Sequence, residues 1–172
     1  SSLYAQESLA HYQWLKDQGV PFKGTYIAEK TIEPETDDTL IWSGSEEAWP
    51  FSEKAKPAPR GHVIQFKGWG GGRKLVDILE ARVVEAGVDV HTNARAVSLV
   101  MEKEKVVGLV VRIDNQPRFV KAGAVVLATG GFCMNEDMLR RYAPQALRLS
   151  DPIGGHDDGS GIMMGLSAGA DA

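Results

Sequence analysis

The sequence predicts an α/β fold, on three observations from its middle part. Apolar residues follow the Gly-rich run 68–72 at helical spacing, and Gly87 stands where that helix would end. Two Val-rich runs, 106–113 and 119–128, flank an Asp-Asn-Gln-Pro turn, which is typical of a β-hairpin. The end of the second run, 125–128, is apolar without alternation, as expected of a strand covered on both faces.

Three further segments are predicted to be helices. Residues 3–18 combine helix formers with an apolar stripe, and Gly19 supplies a stop signal. A second helix begins after Asn135, a good N-cap residue, and a third begins near Ser160 and ends at Gly169. The long stretch before the Gly-rich run alternates short apolar groups with acidic and Pro-containing segments, so it is predicted to be irregular with a few short strands.

Composition and charge exclude several classes of protein. The 172 residues are 43% hydrophobic and 24% charged, which is a globular composition. The net charge of −4 and the scattered Lys and Arg residues give no basic surface, so no nucleic-acid partner is expected. Cys133 is the single cysteine, which excludes an internal disulfide and a cysteine-rich zinc site, and we expect no metal.

The same residues bear on localisation and on the chain ends. No run approaches the roughly 20 apolar residues that cross a bilayer, and the N-terminus carries no signal pattern, so a soluble, cytoplasmic protein is expected. The chain opens at Ser1 without an initiator Met and stops in a Gly/Ala-rich stretch at Ala172. We therefore expect both ends to be cut ends.

The most informative motif is Thr129-Gly130-Gly131 at the end of the apolar run 124–128. A strand that ends in Thr-Gly-Gly lets a ligand approach bare backbone at its carboxyl end, where open α/β sheets place cofactors. A plain strand-to-loop turn is the alternative, and it is the commoner meaning of a Gly-Gly pair taken alone.

The order of several motifs resembles a known family. The run 121–132, the helix and hairpin before it, and the tail Asp157-Asp158-Gly159-Ser160-Gly161 with Ala168-Gly169-Ala170 resemble soluble fumarate reductase flavoproteins and 3-ketosteroid dehydrogenases. The similarity covers residues 60–172. It implies part of a Rossmann-like FAD-binding domain with a β-hairpin, pieces of a substrate or cap domain, and FAD as the cofactor. It also implies that the pyrophosphate-holding loop precedes Ser1, so that the isolated chain would bind FAD weakly.

The resemblance implies specific ligand contacts. Four residues at the strand end would lie against FAD: Ala128, Thr129, Gly130 and Gly131. Two residues, Ala96 and Val97, would present backbone to the adenine. The family's Gly-Asp-Gly segment near the substrate corresponds to Gly159, Ser160 and Gly161, and the Ser in place of Asp leaves a charged role there open.

The Gly-rich run 68–72 is a poor Rossmann fingerprint. Only a weak strand precedes it, and the candidate acid Asp89 follows only a short apolar segment. The resemblance instead places Gly70 and Gly71 at a helix start that faces the flavin and substrate cavity. Their N–H groups are candidates to hold an anion or a flavin oxygen, and a flexible turning loop is the alternative.

Two polar positions are candidates for substrate binding. Arg60 and His62 lie just before the Gly-rich run, where they could bind a carboxylate or polarise a carbonyl, although exposed surface residues are the commoner case. At the last helix, a capping role for Asp158 or Ser160 is favoured over a substrate contact. Cys133 is expected to be inert. No catalytic residue is assigned, because the family's tyrosines are expected mostly beyond Ala172.

Together these features predict three functional segments and a reaction. Residues 1–67 are predicted to belong to a substrate or cap region, 68–132 to an FAD-binding domain, and 133–172 to the start of a substrate or cap domain. The resemblance implies hydride transfer at a carbon–carbon bond, with a steroid-like ketone as the first choice of small-molecule substrate. A fumarate reductase, for which only Arg60 and Arg73 are well placed, and a non-catalytic interaction domain are the alternatives.

Overall fold

The protein consists of two compact units, Ser1–Asp89 and Val90–Ala172, in a computed structural model that describes residues 2–28, 31, 35–42, 47–148 and 155–171. Helices and two small antiparallel sheets make up the described parts of the two units, so a mixed helix and strand fold is confirmed, and its Rossmann-like arrangement stays a prediction. The boundary between the units lies at neither of the predicted functional boundaries. The three functional segments concern ligand binding and stay a prediction. The predicted irregular stretch before the Gly-rich run lies partly outside the described residues.

In its described residues, the first unit contains three helices and a short ladder. Its elements are α1 (Ser2–Asp17), β1 (Leu40–Ile41), α2 (Phe51–Lys54), β2 (Gly61–His62) and α3 (Gly71–Glu85). Strands β1 and β2 are antiparallel, with Leu40 opposite His62. Thr39 is fully buried, and its hydroxyl oxygen accepts hydrogen bonds from the backbone N–H groups of Lys23 and Gly24.

The second unit is built on a three-stranded antiparallel sheet. Its elements are β3 (Arg95–Glu102), β4 (Lys105–Ile113), β5 (Gln116–Lys121), α4 (Glu136–Tyr142), a 3-10 helix (Pro144–Arg148) and α5 (Ser160–Ser167). The strand order is β3-β4-β5, and α5 packs against β3. Met138 of α4 and Met164 of α5 are the buried apolar side chains of this unit among the described residues.

All four predicted helices are confirmed. Three of them end in the same way, with a glycine in the left-handed region and two hydrogen bonds that close the last turn, at Gly19, Gly87 and Gly169. The fourth, α4, begins as predicted at Asn135, whose side-chain oxygen accepts from the backbone N–H of Met138 at 3.1 Å.

The hairpin is confirmed, and its turn is shorter than predicted. Ile113 pairs with Gln116, so only Asp114 and Asn115 form the loop. Both have positive φ, 50° and 59°, which is the geometry of a two-residue turn that matches the twist of the strands. Pro117 was expected in the turn and instead lies in β5, an edge strand, where a missing N–H is tolerated.

The prediction of a covered strand at 125–128 is wrong for this chain. Strand β5 ends at Lys121, and residues 122–131 form no ladder with any described segment. The side chain of Val126 is 88% exposed and that of Leu127 is 38% exposed. A strand forms only where a neighbour accepts its backbone hydrogen bonds, and none lies beside this run within the described part of the chain.

Candidate cofactor and substrate sites

Segment 129–131, the predicted cofactor contact, lies against the start of α5. Gly161 is buried, and a β-carbon at this position would overlap Oγ1 of Thr129. The backbone N–H of Gly159 donates to the carbonyl oxygen of Gly131 at 3.0 Å. The predicted cofactor and substrate motifs therefore form one folded site in the second unit.

The carboxylate of Asp157 contacts the glycine pair Gly130-Gly131. Its Oδ1 accepts from the backbone N–H of Gly131 at 3.3 Å, and a β-carbon on Gly130, whose φ is +76°, would overlap the same oxygen. Its Oδ2 lies 3.5 Å from Sγ of Cys133. Burial, followed by this hydrogen bond, raises the pKa of the Cys133 thiol, which keeps it in the unreactive protonated form.

Asp158 accepts a hydrogen bond from the first backbone N–H of α5, whose N-cap residue is Gly159. Its Oδ1 accepts from the backbone N–H of Ser160 at 2.9 Å, and its Oδ2 pairs with Nη2 of Arg95 at 2.8 Å. Hydrogen bonds from the Ser160 side chain and backbone, then from Arg95, hold the pKa of the Asp158 carboxyl well below its usual range. Of the two predicted capping residues, Asp158 has this role. Ser160 is already inside the helix and hydrogen-bonds to Asp158.

Asn135 connects α4 to the same loop. Its Nδ2 donates to the carbonyl oxygen of Asp158 at 2.9 Å while its Oδ1 caps α4. Gly159 is the next residue after Asp158, and a β-carbon on Gly159 would overlap Sδ of Met138. Gly159 is buried, which indicates that it has a packing role in the site.

Two cavities lie on opposite faces of α5. One, of about 350 Å³, is lined on the strand-end side by Leu127, Ala128, Thr129 and Gly130 and on the helix side mainly by Gly161, Ile162, Gly165 and Leu166. The other, of about 530 Å³, contains Arg95, Val97, Asp158 and Ser160 along with apolar residues of β3 and α5. Three predicted FAD contacts thus share the first cavity, and Val97 shares the second with Ser160.

Val97 occupies a β-bulge. Ala96 pairs with Val111 and Ser98 pairs with Val110, so Val97 has no opposing residue in the register. Its side chain is 41% exposed. Bulges interrupt the ladder and leave backbone groups available, which suits a residue predicted to present its backbone to a ligand.

The first unit brings Arg60 and His62 together. Both line a cavity of about 670 Å³ whose other walls are mainly apolar and aromatic: Leu3, Tyr4, Tyr12, Leu15 and Phe22, with Glu7, Ser8 and His11. The His62 ring lies 4.6 Å from the Tyr12 ring and 6.3 Å from that of Phe22. The result is an apolar cavity with a guanidinium and an imidazole at one side.

The predicted Gly70 and Gly71 form the start of α3. Gly70 is the N-cap with a φ of 116°, and Gly71 is packed so closely that a β-carbon would lie 2.8 Å from Cγ2 of Ile64. Gly71 lines a smaller cavity of about 260 Å³ together with His62.

Some residues of the site were missed by the sequence reasoning. Arg95 lies 63 positions from Asp158, and nothing in its local pattern indicates the pairing. Asp157 belongs to the tail motif that carries the family resemblance, but nothing in the sequence indicates its contact with Gly131. A signal existed for Asn135, which was identified as a cap but not as a bond to the loop at Asp158.

An α/β fold with exposed glycine backbone beside a cavity is typical of a cofactor-binding domain. The chain belongs to the FAD-binding domain family, whose model matches residues 1–172. This match confirms FAD as the cofactor.

Known relatives confirm the predicted resemblance. A solved 3-ketosteroid-Δ4-(5α)-dehydrogenase from Rhodococcus jostii RHA1, in complex with 4-androstene-3,17-dione, has a TM-score of 0.90 and 39% identity, covering 98% of this chain and 36% of that one. A solved flavocytochrome c3 fumarate reductase has a TM-score of 0.70 and 28% identity, covering 96% and 25%. A 3-oxo-5-alpha-steroid 4-dehydrogenase from Comamonas testosteroni is 30% identical, covering 84% and 29%. The chain therefore spans little more than a third, or less, of each of these proteins.

The described residues also bear on metal binding and on membranes. They contain no group of three or more His, Cys, Asp or Glu side chains arranged to hold a metal ion. Among the same residues, no helix is long and apolar enough to cross a bilayer.

Proposed function

We propose that this chain forms part of the FAD site of an oxidoreductase that acts on a carbon–carbon bond next to a ketone. The observation that carries this proposal is the likeness, over nearly the whole chain, to a 3-ketosteroid dehydrogenase solved with a steroid bound. When bound, FAD supplies the hydride chemistry, and the protein binds and orients the reactants.

Segment 128–131 and the bulge at Val97 contain the proposed FAD-binding residues of the second unit. Ala128, Thr129, Gly130 and Gly131 are exposed, and nothing lies within 4 Å of the place where a Gly131 β-carbon would be. A flat ligand group can therefore approach this backbone closely. We assign Ala96 and the bulged Val97 to the adenine end, since the interrupted ladder leaves backbone groups free for it.

Gly70 and Gly71 are the proposed contacts of the first unit. They begin α3, a helix of 15 residues, whose first N–H groups have no partner within the helix. Such groups favour an anion or a partly charged oxygen. We assign them to an oxygen of the flavin ring or of the substrate.

A steroid-like ketone is the proposed substrate. Most of the walls of the cavity that Arg60 and His62 line are apolar or aromatic, as a steroid skeleton requires, and Arg60 is a donor suited to a carbonyl oxygen, while Glu7, Ser8 and His11 are further polar residues of the lining. In this proposal Arg60 donates to that oxygen and stabilises the charge that gathers there, while His62 lines the cavity with its Nδ1 3.2 Å from the backbone carbonyl oxygen of Arg60. Gly159, Ser160 and Gly161 keep their predicted role near the substrate as part of the same proposal.

A fumarate reductase is the second candidate, supported by the solved relative of that activity. A dicarboxylate needs several free arginines, and Arg73 is engaged with Asp77 at 2.7 Å one helical turn away. Arg60 alone then remains of the two arginines that the sequence placed near the site. The apolar cavity also favours the ketone over the dicarboxylate.

A Rossmann-like arrangement of the FAD-binding domain is part of the proposal, with the β4–β5 hairpin as one described portion of it. In the same proposal residues 68–132 serve FAD, residues 1–67 and 133–172 serve the substrate or cap region, and the single cysteine favours the cytoplasm.

Steady-state kinetics of the full-length protein test the proposal. We expect the purified protein to be yellow and to reduce an artificial electron acceptor when a saturated 3-ketosteroid is supplied. Reduction of fumarate by a reduced dye, with no turnover of ketosteroids, would support the second candidate instead. A colourless protein that gains no flavin from added FAD would contradict both.

A further inference from the structure

Arg95 and Asp158 form an ion pair that links the two predicted halves of the cofactor site. Arg95 is the first residue of β3 and is followed directly by Ala96 and the bulged Val97. Asp158 precedes the turn that holds Gly161 against Thr129. The Nη2 to Oδ2 distance is 2.8 Å, across a separation of 63 residues in sequence.

The carboxylate of Asp158 uses both oxygens in this arrangement. Oδ2 accepts from Arg95, and Oδ1 accepts from the backbone N–H of Ser160 at 2.9 Å. The carbonyl oxygen of the same residue accepts from Nδ2 of Asn135. The guanidinium therefore contacts a residue that two other hydrogen bonds also hold, one of them from the backbone N–H of Ser160 at the start of α5.

We propose that Arg95 is a positioning residue for the FAD site. Through Asp158 it sets the spacing between the bulge at Val97 and the segment at Thr129, which are the proposed contacts of the adenine end and of the strand end. This inference rests on the proposed FAD site. Arg95 itself is not assigned a contact with the cofactor.

A purely structural role would have a different signature. Both side chains are well exposed, 63% for Arg95 and 45% for Asp158, and exposed ion pairs contribute little to the free energy of unfolding. Loss of the pair should therefore leave the folded apoprotein nearly as stable as before. A positioning role predicts that FAD affinity changes by much more than stability does.

The test compares three variants of the full-length protein after removal and titration of FAD. Arg95→Gln removes the charge, Arg95→Lys keeps it, and Arg112→Gln is the matched control, since Arg112 is exposed and lies opposite Arg95 on β4. We expect Arg95→Gln to raise the Kd for FAD about tenfold, Arg95→Lys to restore most of the affinity, and the control to stay within about twofold. The apoprotein Tm should be similar in all three, and excess FAD should restore turnover to Arg95→Gln.

Three outcomes would overturn the proposal. The first is an unchanged Kd in Arg95→Gln, and the second is an equal loss in Arg112→Gln, which would indicate a general charge effect. The third is a fall in apoprotein Tm of Arg95→Gln large enough to account for the weaker binding. Failure of the wild-type protein to bind FAD would instead contradict the proposed function on which this inference rests, and the inference with it.

Discussion

The backbone of Gly161 lies against the Thr129 side chain, so closely that a β-carbon at position 161 would overlap Oγ1 unless Thr129 moved. This contact joins the first turn of α5 to segment 128–131, which is the proposed FAD contact. The close packing of these two segments therefore requires glycine at position 161, in addition to the hydrogen bonds between them.

Gly161→Ala is expected to destabilise the protein and to weaken flavin binding. The added methyl group must displace Thr129, and overpacking of this kind costs about 1–3 kcal/mol. Gly165→Ala is the matched control in the same helix, because its β-carbon would meet atoms only at 3.6 Å and beyond. We expect the control to be as stable as wild type or more stable, by about 0.5–1 kcal/mol. Equal Tm values for the two variants would contradict this account of the contact.

Gly130→Val is expected to abolish flavin retention. Gly130 has a φ of +76°, which costs a branched residue about 1–2 kcal/mol, and the side chain would meet Asp157 and the space that the cofactor needs. Gly123→Ala serves as the control, since its β-carbon would meet nothing within 4 Å. The flavin-to-protein absorbance ratio after gel filtration measures the effect. A folded Gly130→Val protein with normal flavin content would remove this glycine from the site.

Helix ends and the hairpin could be predicted from the sequence because their signals are local. Gly19, Gly87 and Gly169 stop helices through bonds to the preceding turn, and Asn135 caps a helix three residues ahead. The lack of strand pairing at 125–128 could not be predicted from the composition of this run, since pairing depends on a neighbouring strand. Likewise the bulge at Val97 depends on the register of β4.

The motif 128–131 and the ion pair between Arg95 and Asp158 were also predictable to different degrees. The motif 128–131 could be proposed as a cofactor contact because glycines follow an apolar run there, and the family resemblance favoured that interpretation over a plain turn. The bond between Arg95 and Asp158 joins residues that are remote in sequence, and neither has a periodic pattern around it that would indicate the other. Only the folded chain brings them together.

Asp158→Asn is expected to flatten the acid side of the stability profile. The pKa of Asp158 is lowered in the folded protein, so the unfolded state binds more protons as pH falls. The stabilisation is complete above the unfolded pKa of about 3.9 and is lost as the pH falls through the folded value. Tm measured from neutral pH downward should therefore fall more steeply below about pH 4 in wild type than in Asp158→Asn. Parallel profiles would show that this carboxylate is not linked to folding.

Ser160→Ala separates two roles of its hydroxyl. The capping carboxylate is that of Asp158, so loss of the Ser160 oxygen should leave α5 capped and lower Tm only slightly. We expect kcat/KM to stay within a few-fold of wild type, because the hydroxyl is engaged with Asp158. A tenfold or greater fall in kcat/KM at unchanged Tm would place Ser160 among the residues that contact substrate or flavin.

Arg60→Ala is expected to raise the KM for a 3-ketosteroid by several-fold, because it removes a donor to the ketone oxygen at one side of the apolar cavity. Arg73→Ala is the control, since the Arg73 side chain is 79% exposed and bonded to Asp77. We expect the control to change KM by less than twofold. If Arg73→Ala proved the more damaging variant with a dicarboxylate substrate, the assignment of a ketone would fail.

The visible spectrum of the purified full-length protein, recorded without oxygen before and after addition of a saturated 3-ketosteroid, tests the central claim most directly. The proposed function predicts an oxidised flavin spectrum at near-stoichiometric FAD, which the steroid bleaches as hydride passes to the cofactor. A spectrum that the steroid leaves unchanged, in a protein whose reduced flavin is reoxidised by fumarate, would contradict the claim.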